Sequence, residues 1–182
     1  MQRVFSSQAV INQRLSRILG VVFFIALTSL GAFVRIPLPF TPVPLTLQTF
    51  FVLLSGALLG SKLGFTSQAV YLLLGLSGLP LFTGGFAGAL YFAGPTAGYL
   101  AGFLFAALIS GKLIKKDDCW GKVFAKFMLA DAVLLISGML WLKLSLGLSL
   151  TNALFLGVMP FVVGDLLKIA AATSVYKSPR FR

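Results

Sequence analysis

An aspartate and a lysine lie three residues apart in the last apolar stretch of the chain, in the segment Gly164-Asp165-Leu166-Leu167-Lys168. On a helix, residues at positions i and i+3 share a face, so the two charged side chains would project together. Each charge costs on the order of 2.5–3.5 kcal/mol at the centre of a membrane helix, and such groups are functional candidates by default. An internal ion pair that offsets this cost is one interpretation. Contact with a polar ligand is the favoured one.

The residue inventory excludes most catalytic and metal chemistry. The chain has no histidine and no glutamate, and Cys119 is its one cysteine. Zinc-binding H-E-x-x-H motifs and catalytic sites built on histidine are therefore excluded. The Gly-Lys pairs at 111–112 and 121–122 are followed by Leu113 and Val123, so neither forms a phosphate-binding P-loop. We predict no catalytic residue, no metal site and no cofactor, and if ATP drives the protein another subunit must hydrolyse it.

Composition places most of the chain in lipid. Of its 182 residues, 58% are hydrophobic and 10% are charged, with a mean hydropathy of +0.99. A soluble domain has about 25% charged residues. The net charge of +11 does not indicate nucleic-acid binding, because the basic residues form short clusters between long apolar runs. The prediction is one membrane domain over residues 1–182, an all-α polytopic bundle of six transmembrane helices with Gly/Pro-rich external loops.

The apolar runs set the predicted spans. A transmembrane helix needs roughly 17–25 mostly apolar residues, and the second and third runs are short by this measure. The last run could be one helix over 152–176, but Pro160 fits a first helical turn. We therefore favour a short surface piece at 152–158 followed by a final span. The predicted spans are 18–34, 45–59, 63–79, 95–114, 123–146 and 160–176.

Basic residues predict the orientation. With an even number of spans, most of them fall on one side, which should be cytoplasmic. Both termini are then cytoplasmic, in a multi-pass protein of the plasma (cytoplasmic) membrane. The first span is interpreted as an uncleaved helix because further spans follow it. The basic residues on the predicted cytoplasmic side are Arg3, Arg14, Arg17, Lys62, Lys112, Lys115, Lys116, Lys122, Lys126, Lys177, Arg180 and Arg182.

The unusual residues fall on the opposite, external side. Four prolines within residues 37–44 prevent helix formation and predict a stiff, lid-like segment. The uncharged segment 78–99 is rich in glycine and aromatic residues. Irregular backbone at membrane depth is tolerated only where it is buried in protein or lines a cavity. Loop geometry explains Gly84 and Gly85 best, and helix packing explains Gly98 and Gly102. Asp131, in the middle of the fifth span, is interpreted as a polar contact to a neighbouring helix.

Four stretches together resemble a known family. They are the run from Arg35 to Thr49 (RIPLPFTPVPLTLQT), LLSGALLG at 53–60, GPTAGY at 94–99 with Gly102-Phe103, and PFVVGDLLK at 160–168. In this order they resemble the BioY family, the biotin-specific substrate-binding (S) subunits of energy-coupling factor (ECF) transporters. The resemblance covers about residues 18–176.

The resemblance implies six membrane helices and a biotin pocket near the outer face, in which Asp165 and Lys168 contact biotin. Asp165 would accept a hydrogen bond from a ureido N–H group. Lys168 would donate to the ureido carbonyl or reach the valerate carboxylate, and Arg35 could attract that carboxylate at the pocket mouth. Where some members carry a polar residue in the Gly-rich loop, this chain has a phenylalanine. The remaining candidate contacts are Phe40, Gly84, Gly85, Phe86, Tyr91 and Tyr99.

The resemblance also implies partners, namely a transmembrane coupling protein and two cytoplasmic ATPases. The family's Ala-x-x-x-Ala docking pattern is matched here only by the small residues Thr28 and Ala32. Two alternatives remain within transport: a stand-alone biotin facilitator, and an S subunit for another vitamin. A third, an intramembrane enzyme, would have to rely on Asp131, Asp165 and Lys168. A structural scaffold would leave the Asp165 and Lys168 pair unexplained.

Overall fold

The computed structural model describes residues 2–179, with side chains described from residue 12 onward. Three basic residues that entered the predicted orientation, Arg3, Arg180 and Arg182, lie outside the described side chains. The described part is helical apart from one two-stranded ribbon and the loops. The helices are α1 Gln2–Phe33, α2 Gln48–Leu59, α3 Ser61–Leu76, α4 Gly88–Phe92, α5 Ala97–Leu113, α6 Trp120–Leu146, α7 Leu150–Gly157 and α8 Val162–Lys177.

The all-α membrane fold predicted from the composition is confirmed. The six longer helices run alternately up and down, so the connections gather at two ends of the bundle. The loop end holds residues 34–47, 77–96 and 147–161, with the short helices α4 and α7. It also holds the ribbon, in which β1 (Arg35–Ile36) pairs antiparallel with β2 (Leu45–Thr46). The basic end holds residues 60 and 114–119, and carries Lys62, Lys112, Lys115, Lys116, Lys122 and Lys177.

The helices differ in whether they are long enough to cross a bilayer. Within residues 2–179, two helices are long and apolar enough to cross a bilayer, Asn12–Phe33 and Trp120–Leu146, and the bent pair α7 and α8 would make a third. At 1.5 Å per residue α2 spans about 18 Å, less than the ~30 Å of a hydrocarbon core. The six crossings therefore stay a prediction.

The packing of α5 on α6 uses glycines. A Cβ atom at Gly98 would lie 2.5 Å from the carbonyl oxygen of Ser137, and one at Gly102 would lie 3.1 Å from Cα of Leu134. The Ser137 hydroxyl donates a hydrogen bond to the carbonyl of Gly98 at 2.6 Å. Small residues allow two membrane helices to approach this closely. The packing role predicted for both glycines is confirmed.

The last apolar segment is divided in two. Helix α7 ends at Gly157 and α8 begins at Val162, with a 49° bend between them. The Tyr99 hydroxyl donates to the carbonyl of Gly157 at 2.6 Å, which satisfies a carbonyl at the end of α7. Pro160 lies in the turn before Phe161, the N-cap of α8, and not in the first helical turn as predicted. Because proline lacks an N–H group, it suits a break where no helical hydrogen bond is made.

Candidate functional site

The Asp165 and Lys168 side chains lie in the first two turns of α8, at the loop end. Asp165 is buried, with 3% of its surface exposed. Lys168 Nζ lies 2.5 Å from Asp165 Oδ1 and forms an ion pair with it. Lys168 Nζ also donates to the carbonyl of Thr46 at 3.0 Å and to Thr49 Oγ1 at 2.5 Å. Because an ionised carboxylate has about four acceptor positions, Asp165 keeps the capacity to accept further hydrogen bonds.

The pair lines a cavity inside the bundle, which we call the inner cavity. Its volume is about 50 Å³, enough for a few water molecules. It combines apolar and aromatic walls with a few polar groups, the usual composition of a small-molecule site. The residues that line it are Val43, Pro44, Leu45, Thr46, Gln48, Thr49, Thr83, Thr96, Tyr99, Leu100, Phe103, Leu134, Leu135, Phe161, Asp165 and Lys168.

A fully buried glutamine ties the wall of the inner cavity to the Gly-rich loop. Gln48 Nε2 donates to the Tyr71 hydroxyl at 2.7 Å, and that hydroxyl donates to the carbonyl of Leu81 at 3.1 Å. The Thr83 hydroxyl donates to Gln48 Oε1 at 3.1 Å. A satisfied polar network of this kind holds its members in one arrangement. The first turn of α2, α3 and the start of the Gly-rich loop are thereby fixed relative to one another.

A second, outer cavity of about 270 Å³ lies toward the loop end. Arg35, Phe86 and Tyr91 line it, and the Phe86 and Tyr91 rings stack with centroids 5.3 Å apart. Pro44, Thr83 and Thr96 line both cavities. These three residues, which we call the shared wall, separate the buried ion pair from the cationic, aromatic outer cavity.

Two glycines shape the loop beside the outer cavity. Gly84 and Gly85 both have a φ of +80°, a left-handed conformation that side chains rarely adopt. The Arg35 guanidinium lies against Gly84, in the space that a Cβ atom would need. The loop-geometry interpretation of these glycines is confirmed, and Gly84 also gives the arginine room.

The structure brings most of the predicted site residues together, but in two places. Asp165, Lys168 and Tyr99 line the inner cavity, and Arg35, Phe86 and Tyr91 line the outer one. Gly84 lies behind Arg35, and Gly85 follows it without lining either cavity.

Phe40 is not brought into the site. It is 59% exposed at the tip of the proline segment and lines neither cavity. The neighbouring Thr41 hydroxyl donates to the carbonyl of Leu156 at 2.8 Å, which anchors the segment on α7.

Sequence reasoning missed five polar residues of the inner cavity: Thr46, Gln48, Thr49, Thr83 and Thr96. All but Thr83 belong to stretches that carry the family resemblance. A glutamine at the start of an apolar helix is itself a signal, because a buried amide requires partners. For Thr83 no local signal exists, since only the folded loop brings it to Gln48.

Among the described residues, no group of three or more histidine, cysteine, aspartate or glutamate side chains is arranged to hold a metal ion. The polar groups of the site are an ion pair, an amide and hydroxyls. They suit an uncharged polar ring that both donates and accepts hydrogen bonds.

Comparison with known proteins supports the family resemblance found in the sequence. Residues 4–181 match the family model described as the BioY family. A probable biotin transporter BioY of Pyrococcus horikoshii is 41% identical over 156 residues, covering 85% of this chain and 90% of that protein. The biotin transporter BioY of Thermotoga maritima is 38% identical over 152 residues, covering 84% and 88%.

A solved structure shows the same fold. It is the S-component for biotin from an ECF-type ABC transporter, with a TM-score of 0.88, 30% identity and 94% of each chain covered. The family model matches nearly the whole chain, and the relatives are this similar over most of it. The chain therefore belongs to the BioY family.

Proposed function

We propose that the protein binds biotin at the loop end of the bundle and carries it across the membrane as the substrate-specific subunit of an ATP-driven ECF transporter. The observation that carries the proposal is the buried ion pair of Asp165 and Lys168, which lines the inner cavity and places a charged acceptor beside a charged donor. A ureido ring offers two N–H donors and one carbonyl acceptor. Asp165 supplies the acceptor, and Lys168 supplies the donor. The relatives named above are transporters, so the enzyme alternative has no support.

The two cavities suggest how the ligand lies. The inner cavity is smaller than a bicyclic ligand requires, so we infer that binding displaces Pro44 and Thr96, the members of the shared wall outside the Gln48 network, and merges the two cavities. The ureido ring then reaches Asp165 and Lys168. The valerate carboxylate points outward to Arg35, whose guanidinium is suited to binding a carboxylate. The stacked rings of Phe86 and Tyr91 offer an apolar surface to the thiophane ring.

Equilibrium binding to the detergent-purified chain alone tests this proposal. We expect saturable binding of labelled biotin that unlabelled biotin displaces and that thiamine or riboflavin does not. Displacement by another vitamin in place of biotin would favour the alternative of an S subunit for that vitamin. Absence of biotin binding would contradict the proposal.

A proposal on partners is supported by the structural neighbour, which is a component of an ECF-type ABC transporter. We propose that this chain assembles with a transmembrane coupling protein and two cytoplasmic ATPases. In cells that lack biotin synthesis and all ECF subunits, the chain alone should then support no uptake, and coexpression of the module should restore it. Uptake that persists without the module and after ATP depletion would favour the stand-alone facilitator.

We further propose that the basic end is cytoplasmic and that the membrane is the plasma membrane. Lysines concentrate at that end, as expected for the cytoplasmic side. Cys119, the single cysteine, is exposed there and is a natural reporter. A membrane-impermeant maleimide should label it in inside-out vesicles and spare it in intact spheroplasts. A Cys119→Ser, Ser149→Cys variant, with its thiol at the loop end, should show the reverse.

A further inference from the structure

Asp131 is a second buried carboxylate that the proposed binding role does not use. It lies in the middle of α6, is 4% exposed, and its Oδ1 has no hydrogen-bond partner. The polar contact to a neighbouring helix that the sequence predicted is thus not made as a hydrogen bond at this atom. An unpaired buried carboxylate is costly in its ionised form. The surroundings of Asp131 must therefore supply a compensating charge or a proton.

A third cavity, of about 140 Å³, connects Asp131 to the ligand site. It lies between one face of α6 and one face of α8, and Asp131 and Asp165 both line it. Its remaining lining is apolar, and its rim residues Met128, Val162 and Leu166 are exposed on the outside of the bundle. Asp165 also lines the inner cavity. Asp165 and Leu135 therefore separate the inner cavity from the Asp131 groove.

The charges of Asp131, Asp165 and Lys168 do not balance. Asp165 and Lys168 form an ion pair and compensate each other. They are the charged neighbours of Asp131, and an ionised Asp131 leaves the trio with one excess negative charge. The other elements packed on α6 do not correct this. On α2 and α7 there is no ionisable side chain.

The remaining ionisable groups near α6 lie elsewhere or are engaged. Tyr99 on α5 donates to Gly157, and on α6 itself Lys126 pairs with Asp118 near the basic end. The others lie toward the ends of their helices and are Lys112 on α5, Tyr176 and Lys177 on α8, and Lys122 and Lys143 on α6.

We propose that Asp131 is a proton-binding site linked to ligand occupancy, so that an anionic ligand binds with uptake of a proton at Asp131. This inference rests on the proposed binding of biotin. A proton fits better than a metal cation because the groove offers only carboxylate oxygens among apolar walls, and a metal ion requires several oxygen ligands. In the proposed pose the ureido ring displaces water from the inner cavity beside Asp165 and Lys168, and the drier surroundings favour the neutral form of the uncompensated Asp131 carboxylate.

The sign of the linkage follows from this argument. Because the complex holds more protons than the free protein, biotin affinity should fall as the pH rises, by up to about tenfold per pH unit, the limit for one proton. Asp131→Asn imitates the protonated side chain. Its affinity should stay at the low-pH value of the wild type and lose most of its dependence on pH. Asp117→Asn, the same chemical change at an exposed position of the basic end, should behave like the wild type.

Two measurements test the inference. The first is the biotin Kd of the purified chain between pH 6 and pH 9, where the ligand carboxylate is ionised. The second is the calorimetric proton uptake on binding, obtained from buffers of different ionisation enthalpy. We expect uptake of up to one proton for the wild type and Asp117→Asn, and none for Asp131→Asn.

The outcomes separate this inference from the proposed function. Biotin binding without proton uptake, or with the same uptake in Asp131→Asn, would overturn the inference and leave the proposed function standing. A dependence on Na⁺ over choline at constant pH that Asp131→Asn abolishes would assign the groove to a metal cation and also overturn it. Absence of biotin binding at every pH would overturn both.

Discussion

Lys168 Nζ and Asp165 Oδ1 lie 2.5 Å apart on one face of α8, and this ion pair lines the inner cavity. Lys168 directs its hydrogen bonds to Thr46 and Thr49 at the start of α2. The lysine thus compensates the buried charge while the carboxylate remains available. A ligand with N–H donors therefore binds a charged acceptor that was already removed from water when the protein folded.

Removing the charge of Asp165 should weaken biotin binding. In Asp165→Asn, we expect an affinity loss of about 10- to 150-fold, because a hydrogen bond to a charged group contributes roughly 1.5–3 kcal/mol and 1.36 kcal/mol is a factor of ten. Titration of the purified variant with labelled biotin measures the loss. Lys168→Met should also weaken binding, since it leaves Asp165 buried without its counter-ion. Wild-type affinity in both variants would refute the proposed site.

Arg35 should recognise the ligand carboxylate. We expect Arg35→Gln to weaken biotin binding by up to about fivefold, as for an exposed ion pair worth 0.2–1 kcal/mol. The loss should shrink at high salt because exposed charges are screened. Biotinamide, which lacks the charge, should bind both proteins equally in the same titration. Lys143→Gln, in the last turn of α6 at the same end, is the matched control. An equal loss for biotin and biotinamide would assign Arg35 a structural role.

Close packing of α5 and α6 should make Gly98 intolerant of a larger residue. A Cβ atom there would lie 2.5 Å from the Ser137 carbonyl oxygen, so the helices must separate. Overpacking of this kind costs about 1–3 kcal/mol. The apparent unfolding temperature of Gly98→Ala in detergent should therefore drop. In Gly121→Ala, whose Cβ meets nothing within 4 Å, it should stay or rise, because alanine favours helix. Equal behaviour of the two variants would argue against the packing.

Asp118 should contribute a pH-dependent contact at the basic end. Hydrogen bonds from Lys126 and from the backbone N–H of Lys115 lower the pKa of Asp118 from its ordinary value of 3.8. A group with a lowered folded-state pKa stabilises the protein above its unfolded pKa and loses that effect as the pH falls through the folded value. The apparent unfolding temperature should therefore exceed that of Asp118→Asn at neutral pH. The difference should begin to shrink as the pH falls below about 3.8 and should vanish once the pH lies below the lower folded-state pKa. A difference that does not shrink with falling pH would indicate another cause.

The sequence predicted the elements whose signals are local. The spacing of Asp165 and Lys168 places them on one face of any helix, and the prolines at 37–44 exclude helix wherever that segment lies. The small residues Gly98 and Gly102 mark a close helix contact without identifying the partner. The position of Pro160 indicated the break near α8 but placed the start of the helix two residues too early. These signals depend on neighbours within a few residues, and the sequence contains those neighbours.

Only the tertiary structure showed what distant residues form together. Gln48 meets Tyr71 and Thr83 because α2, α3 and the Gly-rich loop pack at one end of the bundle. Two cavities divide the predicted site residues, and Phe40 lies outside both. Asp131 and Asp165 are 34 positions apart in the chain and share a groove because α6 packs on α8. Composition and spacing determine what each segment is, because those preferences are local. The packing of the helices decides which polar groups meet, because burial and charge act through space.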